Sequence, residues 1–441
     1  MRSSMRLAAI VLMISLLAAC GSQAPAPSAS RVRHTVALGT DDVIAQAQVR
    51  LKTQPNDWQA VDLLAGAYLQ KVREVGDPSY YPKADALLNR ALGHDPSDAE
   101  ATTLMGTLAL ARHQFVPALD WGRKAHALDP TSSRALGVIG DAQIELGRYP
   151  DALRSFQQMI DLRPDLSSYA RVSYARELFG DVPGAIDAMR NAVEAGGPVP
   201  ENSAYTRVLL GNLYFNVGRP KDADAQYREA LFEDPGYPYA LAGIARVEAA
   251  AGRYPQALGH YRQAVDSYPL PDFVIALGDV YATAGEQRKA SETYDLAAAE
   301  QQLFRANGVD LDAELALFDA DHHRDLSAAL IAARAAMADR PSVRTADILA
   351  WTLFQAGDER DAEVASQQAL RLGTQDATMF FHRGMIEARL GQAAAAIADL
   401  RHALGINPFF SLLWAPVARQ TLVSLTSVSS PLVGEGQGGG L

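Results

Sequence analysis

Residues 204–235 read AYTRVLLGNLYFNVGRPKDADAQYREALFEDP. Leu210, Gly211 and Tyr214 stand at i, i+1 and i+4, a break follows at Gly218-Arg219-Pro220, and Ala223, Tyr227 and Ala230 stand at i, i+4 and i+7 before Pro235. Apolar residues at three- and four-residue spacing share one face of a helix, so the stretch predicts two helices joined by a short turn. Small residues at matched places let the two helices approach, and a large one such as Tyr227 fills the remaining space. The unit recurs. Pro96, Pro130, Pro164, Pro198, Pro235 and Pro269 each stand near a helix end, and four of the five gaps between them are 34 residues. A fixed period of this size marks a repeat array.

The same grid returns at Ile139, Gly140, Gly147, Ala152, Phe156, Met159 and Pro164, and at Ile244, Ala245, Gly252, Ala257, Tyr261, Ala264 and Pro269. It returns at Leu277, Gly278, Tyr281, Gly285, Ala290, Tyr294 and Ala297, and at Gly384, Gly391, Ala396, Leu400, Ala403 and Pro408. These residues resemble the tetratricopeptide repeat signature over about residues 37–415, nearly all of the mature chain. The resemblance implies an all-α fold, an α-solenoid coiled as a right-handed superhelix of about ten helix-turn-helix units. Its motifs specify the fold and leave activity open, because they are packing residues.

Helix pairs are expected to start near residues 58, 99, 133, 166, 204, 238, 271, 310 and 343, with a tenth near 377 and a capping half unit at Asp41–Pro55. Three places depart from the grid. About seven extra residues lie around Val72 to Tyr81, Glu194–Ser203 stretches the spacing to 37, and the unit from Val309 to Pro341 lacks its mid-unit glycine.

Arg2 and Arg6 precede an apolar run, Leu7–Leu17, that is too short for an ordinary membrane span, and Leu17-Ala18-Ala19-Cys20-Gly21 follows. This resembles a bacterial lipobox, in which residues 1–19 are a signal and Cys20 becomes lipid-modified. An ordinary secretory signal with an incidental cysteine is the alternative. Cys20 is the single cysteine, which favours attachment over a disulfide or metal role. Gly21 is not the Asp of an inner-membrane retention signal, so the outer membrane, facing the periplasm, is the expected location. Residues 20–36, rich in Ala, Pro and Ser, read as a flexible tether. The domain reading is completed by a solenoid over 37–422 and a disordered tail over 423–441.

The chain carries 40 Lys and Arg against 51 Asp and Glu, a net charge of −11. Such a balance disfavours nucleic acid and sustained contact with anionic headgroups; membrane contact is expected through the lipid anchor alone. No Gly-x-Ser-x-Gly elbow or phosphate-cradling glycine loop is present, and one cysteine cannot form a paired-cysteine zinc site. Asp41 and Asp42 at a helix start are explained by the helix dipole. The expectation is a protein without enzymatic activity or cofactor.

Asp319, Asp321, His322 and His323 cluster at a helix end, with Glu314 upstream, and carboxylates with imidazoles suit a divalent metal. The alternative is a polar turn that replaces glycine and caps the helix, since adjacent helical residues point about 100° apart. The resemblance also implies that first helices line a concave groove. Its candidate lining is Asp141, Tyr174, Asn212, Arg246, Asp279, Phe318 and Trp351, with Glu177, Phe215 and Phe354 one turn on. Aromatics there would take apolar side chains, while Asn212 and Arg246 would hold a carboxylate or peptide backbone; the alternative for the aromatics is packing between neighbouring first helices. A family carboxylate clamp is incomplete, because Val208 stands where Lys is expected and Arg246 where Asn is expected. Ser168–Arg176 alternates Tyr169 and Tyr174 with Arg171 and Arg176, which suits either an acidic or aromatic ligand or a solvated face. The resulting expectation is an envelope-anchored scaffold or assembly factor that binds a partner protein or peptide in the groove. The alternative is an accessory protein of a metal-handling or polysaccharide system that uses the Asp319–His323 cluster.

Overall fold

The turn between the two helices of a unit depends on one residue in left-handed conformation. In the computed structural model, which describes residues 39–197 and 199–428, Gly147, Gly180, Gly218, Gly252, Gly285, Gly357 and Gly391 take this place, all with φ between 68° and 85°. Glycine adopts that region without a Cβ clash. Two units lack the glycine, and there His113 (φ 58°) and His323 (φ 50°) adopt the same conformation.

Around these turns the described residues form 22 α-helices and no strand. A single helix, α1 (Thr40–Thr53), caps the start. Ten pairs follow. The first five are α2 (Trp58–Val75) with α3 (Tyr80–His94), α4 (Ala99–Ala111) with α5 (Phe115–Leu128), α6 (Ser133–Glu145) with α7 (Tyr149–Leu162), α8 (Leu166–Leu178) with α9 (Val182–Ala195), and α10 (Pro200–Asn216) with α11 (Pro220–Glu233). The next five are α12 (Pro238–Ala250) with α13 (Tyr254–Ser267), α14 (Pro271–Thr283) with α15 (Gln287–Ala306), α16 (Asp312–Asp321) with α17 (Leu326–Asp339), α18 (Val343–Gln355) with α19 (Glu359–Ala369), and α20 (Ala377–Arg389) with α21 (Ala393–Ile406). A last helix, α22 (Trp414–Val428), closes the array.

Local chemistry sets the boundaries. Asp57, Asp98, Ser132 and Ser342 accept hydrogen bonds from backbone N–H groups of the first helices they cap, and Asp165 forms a full capping box with Ser168. Second helices α7, α9, α11 and α13 carry proline in their first turn, where a missing N–H costs nothing. The unit expected at 204 starts at Pro200, because Gly196 (φ 61°) ends α9 and Pro200 preorganises the next start. The extra residues of the first unit lengthen α2 to Val75, where left-handed Gly76 stops it. Residues 423–428, expected in the tail, are the last turns of α22, which packs partly buried Leu422 and Leu425 on the final core cluster. The proposed signal, Cys20, the tether and residues 429–441 lie outside the described residues. Among the described residues no helix is long and apolar enough to cross a membrane.

Packing inside the stack follows small-against-large pairing. Tyr227 on α11 is fully buried between α10 and α12, and a Cβ on Gly211 or Gly243 would come within 2.5 and 2.6 Å of its ring. Phe156 stands over Gly140 and Tyr294 over Gly278 in the same way. The hydroxyls of Tyr227 and Tyr294 donate to Asn212 and Asp279, both at 2.8 Å.

A solenoid unit ordinarily touches only its neighbours. Here the mid-unit turns also meet the chain one superhelical turn later. The His113 ring nitrogen lies 2.7 Å from the Asp310 carbonyl, Val343 N–H donates to the Tyr149 hydroxyl at 2.7 Å, Thr374 donates to the Leu178 carbonyl, and Asn407 donates to the Phe215 carbonyl at 2.9 Å. These four bonds span 192 to 197 residues, so the superhelix closes a turn in fewer than six units and its edges meet along a polar seam. At Gly147 the approach leaves no room for a side chain, since a Cβ there would lie 2.5 Å from the Pro341 carbonyl oxygen.

Gly147 and Gly285 share the left-handed conformation, yet a Cβ on Gly285 would meet nothing within 4 Å. Gly285→Ala is expected to cost about 1 kcal/mol of backbone strain, and Gly147→Ala roughly 2–4 kcal/mol, because it adds a steric clash at the seam. Chemical denaturation of both variants measures the difference, and equal costs would show that the seam contributes nothing.

Candidate functional site

Closure of the superhelix brings first helices that are far apart in sequence around one interior hollow of about 800 Å³. Its walls come from α6 and α8 on one superhelical turn and from α14, α16, α18 and the start of α20 on the other. Leu110, Ile144, Ile275, Leu317, Ile348 and Met379 supply apolar surface. The polar lining is strongly acidic: Asp141, Glu145, Asp272, Asp279, Glu314, Asp321, Asp347 and Asp376 face only Arg340, Arg344, His113 and His322.

Most of these carboxylates are occupied. Asp141 accepts from the Arg171 guanidinium at 2.7 and 2.9 Å. Asp279 accepts from Tyr294 and contacts His322 Nε2 at 2.9 Å. Asp321 accepts from both Trp351 Nε1 (2.8 Å) and Trp414 Nε1 (2.7 Å). Asp347 lies 3.0 Å from His382 Nδ1, Glu314 binds Arg340 at 3.0 Å, and Asp376 caps α20 through Thr378 and Met379 N–H. Glu145 and Asp272 have neither a hydrogen bond nor an ion pair.

Burial sets the protonation of this interior. It pushes the Glu145 carboxyl above the ordinary range against the pull of Arg344, Arg340 and His113. Asp272 is raised by burial and by Glu314, with His113 opposing. Asp272 has open side-chain surface although protein surrounds it, because that surface faces the hollow. Burial disfavours charge on His322, but the bond to Asp279 outweighs it and the net shift is upward. The Tyr174 hydroxyl, raised by burial, accepts from Arg344 Nε at 3.0 Å across the seam.

Of the ten groove residues expected, Asp141, Tyr174, Asp279 and Phe318 line the hollow, and Glu177 lines a small adjoining space beside Arg344 and Asp376. The others serve packing. Trp351 is fully buried, with its ring centroid 5.1 Å from that of Phe354 and 4.2 Å from that of His382. Phe215 and Phe354 are buried, and Arg246 lies 3.9 Å over the Phe215 ring. Asn212 is engaged by Tyr227. Phe215, Trp351 and Phe354 meet side chains of the next first helix, Arg246 meets the preceding one, and Asn212 faces its own second helix, so their mid-helix register does not deliver them to the interior.

The expected metal cluster is not assembled. Asp321 faces the two indoles, and His322 faces Asp279 and the Phe318 carbonyl. His323 occupies the left-handed turn, with its ring 6.4 Å from that of Trp414. Among the described residues no group of three or more His, Cys, Asp and Glu is placed to hold a metal ion. The polar turn that replaces glycine is the arrangement present.

Glu145, Asp272, Arg344 and Arg340 were not singled out from sequence. Asp272 and Arg344 stand in the first turns of α14 and α18, and Glu145 ends α6, outside the mid-helix register considered. One signal was available: charged residues at the ends of first helices whose faces are otherwise apolar.

A second space of about 740 Å³ adjoins the hollow at Leu110, along α2, α4 and α6. There Asp62 is pushed up to about 7 by burial and by the neighbouring Asp98 carboxylate. Its buried Oδ1 receives no protein donor, and the Asp98 carboxylate beside it favours the protonated form.

Comparison with known proteins agrees with this architecture. The tetratricopeptide repeat family model matches residues 138–200, 208–270, 244–304 and 349–409, together half of the chain. The chain belongs to the tetratricopeptide repeat family. It is 35% identical over 99 residues to tetratricopeptide repeat protein 36 of Mus musculus, covering 22% of this chain and 53% of the relative. It is 25% identical over 204 residues to anaphase-promoting complex subunit 7 of Arabidopsis thaliana, covering 46% of this chain and 36% of the relative. The chain thus spans only about a third to a half of the length of these relatives. Among solved structures, a chain of the APC/C hetero-tetramer Cut9-Hcn1 aligns over 88% of this chain and 93% of its own, at 16% identity and a TM-score of 0.37. Proteins of this family generally mediate protein–protein interaction, and the fold is typically a non-enzymatic scaffold.

Asp62 provides a pH test. A carboxyl raised to about 7 from 3.8 is ionised against its preference above pH 7, and that cost is lost as pH falls toward the ordinary value. Asp62→Asn is expected to stabilise the chain by about 1–2 kcal/mol near pH 8, after discounting for a half-open site, with the gain shrinking between about pH 7 and pH 4. Urea midpoints across that range check it.

Proposed function

We propose that this chain is an envelope-anchored scaffold that holds a segment of a partner protein or peptide in its interior hollow. The observation that carries the reading is the hollow itself: about 800 Å³, walled by first helices of two superhelical turns, with apolar surface and a few polar groups not used within the fold. Binding sites combine concave apolar walls with a small number of placed polar groups. The general role of the family supports a protein or peptide as occupant. Tyr174 and Arg344 stand at the seam, where they would grip an incoming backbone or side chain.

The anchoring part of the proposal rests on Leu17-Ala18-Ala19-Cys20-Gly21 after a short apolar run. Acylation at Cys20 with two or more chains would hold the protein stably at a membrane. The acidic body suits a partner-binding role away from anionic headgroups. The Asp319–His323 cluster gives the alternative metal-handling role little support, because Asp321 and His322 are engaged by Trp351, Trp414 and Asp279 and no group of three ligands is assembled among the described residues.

Photocrosslinking in cells from a reactive residue at Tyr174 is expected to capture a defined partner, and the same probe at Phe232, 85% exposed on α11, is expected to capture none. Specific capture from Phe232 alone would move the binding surface off the hollow. Cys20→Ser is expected to shift the protein from the membrane to the soluble fraction; an unchanged distribution would remove the anchor.

A further inference from the structure

We propose that the chain's own C-terminal segment, Phe409–Trp414 with α22 behind it, lies on the concave face as an internal strap, and that the partner segment which takes its place is apolar and carries a tryptophan; this rests on the interior being the seat of that segment. Between Asn407 and Trp414 the chain reads Pro-Phe-Phe-Ser-Leu-Leu, apolar at every place but Ser411. It leaves the seam at Asn407, whose side chain donates to the Phe215 carbonyl. Phe410 then stands beside Glu177 and Arg344 in the small space adjoining the hollow. Leu412 packs against the core cluster built from α12 to α15, and Trp414 reaches α16, α18 and α20 through Asp321, Trp351 and Phe381. Leu412 and Trp414 are two residues apart, at most about 7 Å of chain. Contacts that run from that cluster to α20 over so short a stretch place the segment on the inner side of the coil, where first helices converge.

The Trp414 side chain sits as a ligand sits in a slot. Its indole stands edge-on to Trp351, with ring centroids 5.1 Å apart and an interplanar angle of 81°, and its centroid is 5.9 Å from that of Phe381. Its Nε1–H donates at 2.7 Å to Asp321, a residue of the hollow's own lining. Trp351 and Phe381 are fully buried with the strap in place, although Trp351 holds the mid-helix position that in α14 belongs to hollow-lining Asp279. A tryptophan answers this slot twice, with a ring for the aromatic walls and an N–H for the carboxylate. A phenylalanine lacks the donor, and an acidic side chain would meet Asp321 directly. The strap itself is lightly held. Among the described residues, Trp414 Nε1 makes the one side-chain hydrogen bond from α22 to another helix, and Arg419 donates to the Pro408 carbonyl of the strap's own loop. Ala415 and Ala418 are buried, but Leu422 and Leu425 are only partly so and Val423 is exposed. A helix so attached belongs to the low-stability end of a fold, and its departure would open the aromatic surface of Trp351 and Phe381.

The test compares the full chain with its Trp414→Ala and Trp414→Phe variants. A strap in place lowers apparent affinity by the fraction of time the slot is covered, so opening the slot raises capture. Crosslinking in cells from a reactive residue at Tyr174 is expected to recover about fivefold more partner from Trp414→Ala than from the parent, with Trp414→Phe, which keeps a ring and loses the donor, in between. The defined probe in solution is a fluorescent peptide of residues 409–423. It should bind Trp414→Ala about tenfold more tightly than the parent, and adding Asp321→Ala should remove that gain. If Trp414→Ala fails to fold, hydrogen exchange on the unaltered chain decides: saturating peptide should speed exchange in α22 and slow it in α18 and α20. Equal capture from the parent and Trp414→Ala, or exchange in α22 that bound peptide leaves unchanged, overturns the strap and leaves the scaffold reading standing. Absence of any capture from Tyr174 in either chain overturns the scaffold reading, and the strap falls with it.

Discussion

The interior of this protein depends on how closely a mid-unit turn can approach the chain one superhelical turn later. At Gly147 the backbone comes so near the Pro341 carbonyl that no side chain fits, and at Gly218 a Cβ would lie 2.9 Å from the Ile406 carbonyl. The left-handed conformation that ends each first helix also brings the chain against the next coil, so one backbone property serves both the turn and the seam. Tyr149, Thr374 and Asn407 then satisfy backbone groups across the gap, which matters because such groups are costly to bury without partners. An array held only by neighbours would flex along its length; bonds spanning about 195 residues tie successive superhelical turns to each other.

Closure changes the electrostatics of the concave face. On an open superhelix, acids on first helices would be solvated and nearly independent. Around a hollow they are surrounded by protein on several sides, and desolvation raises Glu145, Asp272, Asp321 and, in the small adjoining space, Glu177. The fold answers with specific partners. Trp351 and Trp414 both donate to Asp321, and His322 meets Asp279 across two units. The result is an acidic lining in which most carboxylates have a hydrogen-bond or ion-pair partner within the fold, with Glu145 and Asp272 the exceptions.

Much of this was legible in the sequence for a physical reason. The pairing of Gly211 with Tyr227, or Gly140 with Phe156, is a local requirement of two helices packing, and it repeats wherever that packing repeats. Helix starts at 58, 99, 133, 166, 238, 271, 343 and 377 fell where the grid placed them. The exceptions had local causes: Pro200 started α10 early, and α22 continued past 422 because Leu422 and Leu425 found a core to cover. The candidate site was less legible. The register of first helices identified Asp141, Tyr174, Asp279 and Phe318 as interior, but it also selected Trp351, Phe354 and Phe215, whose rings fill the space between adjacent helices. A one-dimensional pattern distinguishes a buried from an exposed helix face more readily than it distinguishes a neighbour from a cavity.

The sequence by itself determined the unit: its two helices, its turn residue, its packing pairs and its number of copies, because each depends on residues within one or two periods of each other. Only the tertiary structure decided that the array closes on itself, that the His-rich turn holds its own hydrogen bonds, and that Glu145 and Asp272 face a common space. Those outcomes depend on small rotations between successive units, summed over nearly six of them, and no local pattern records such a sum.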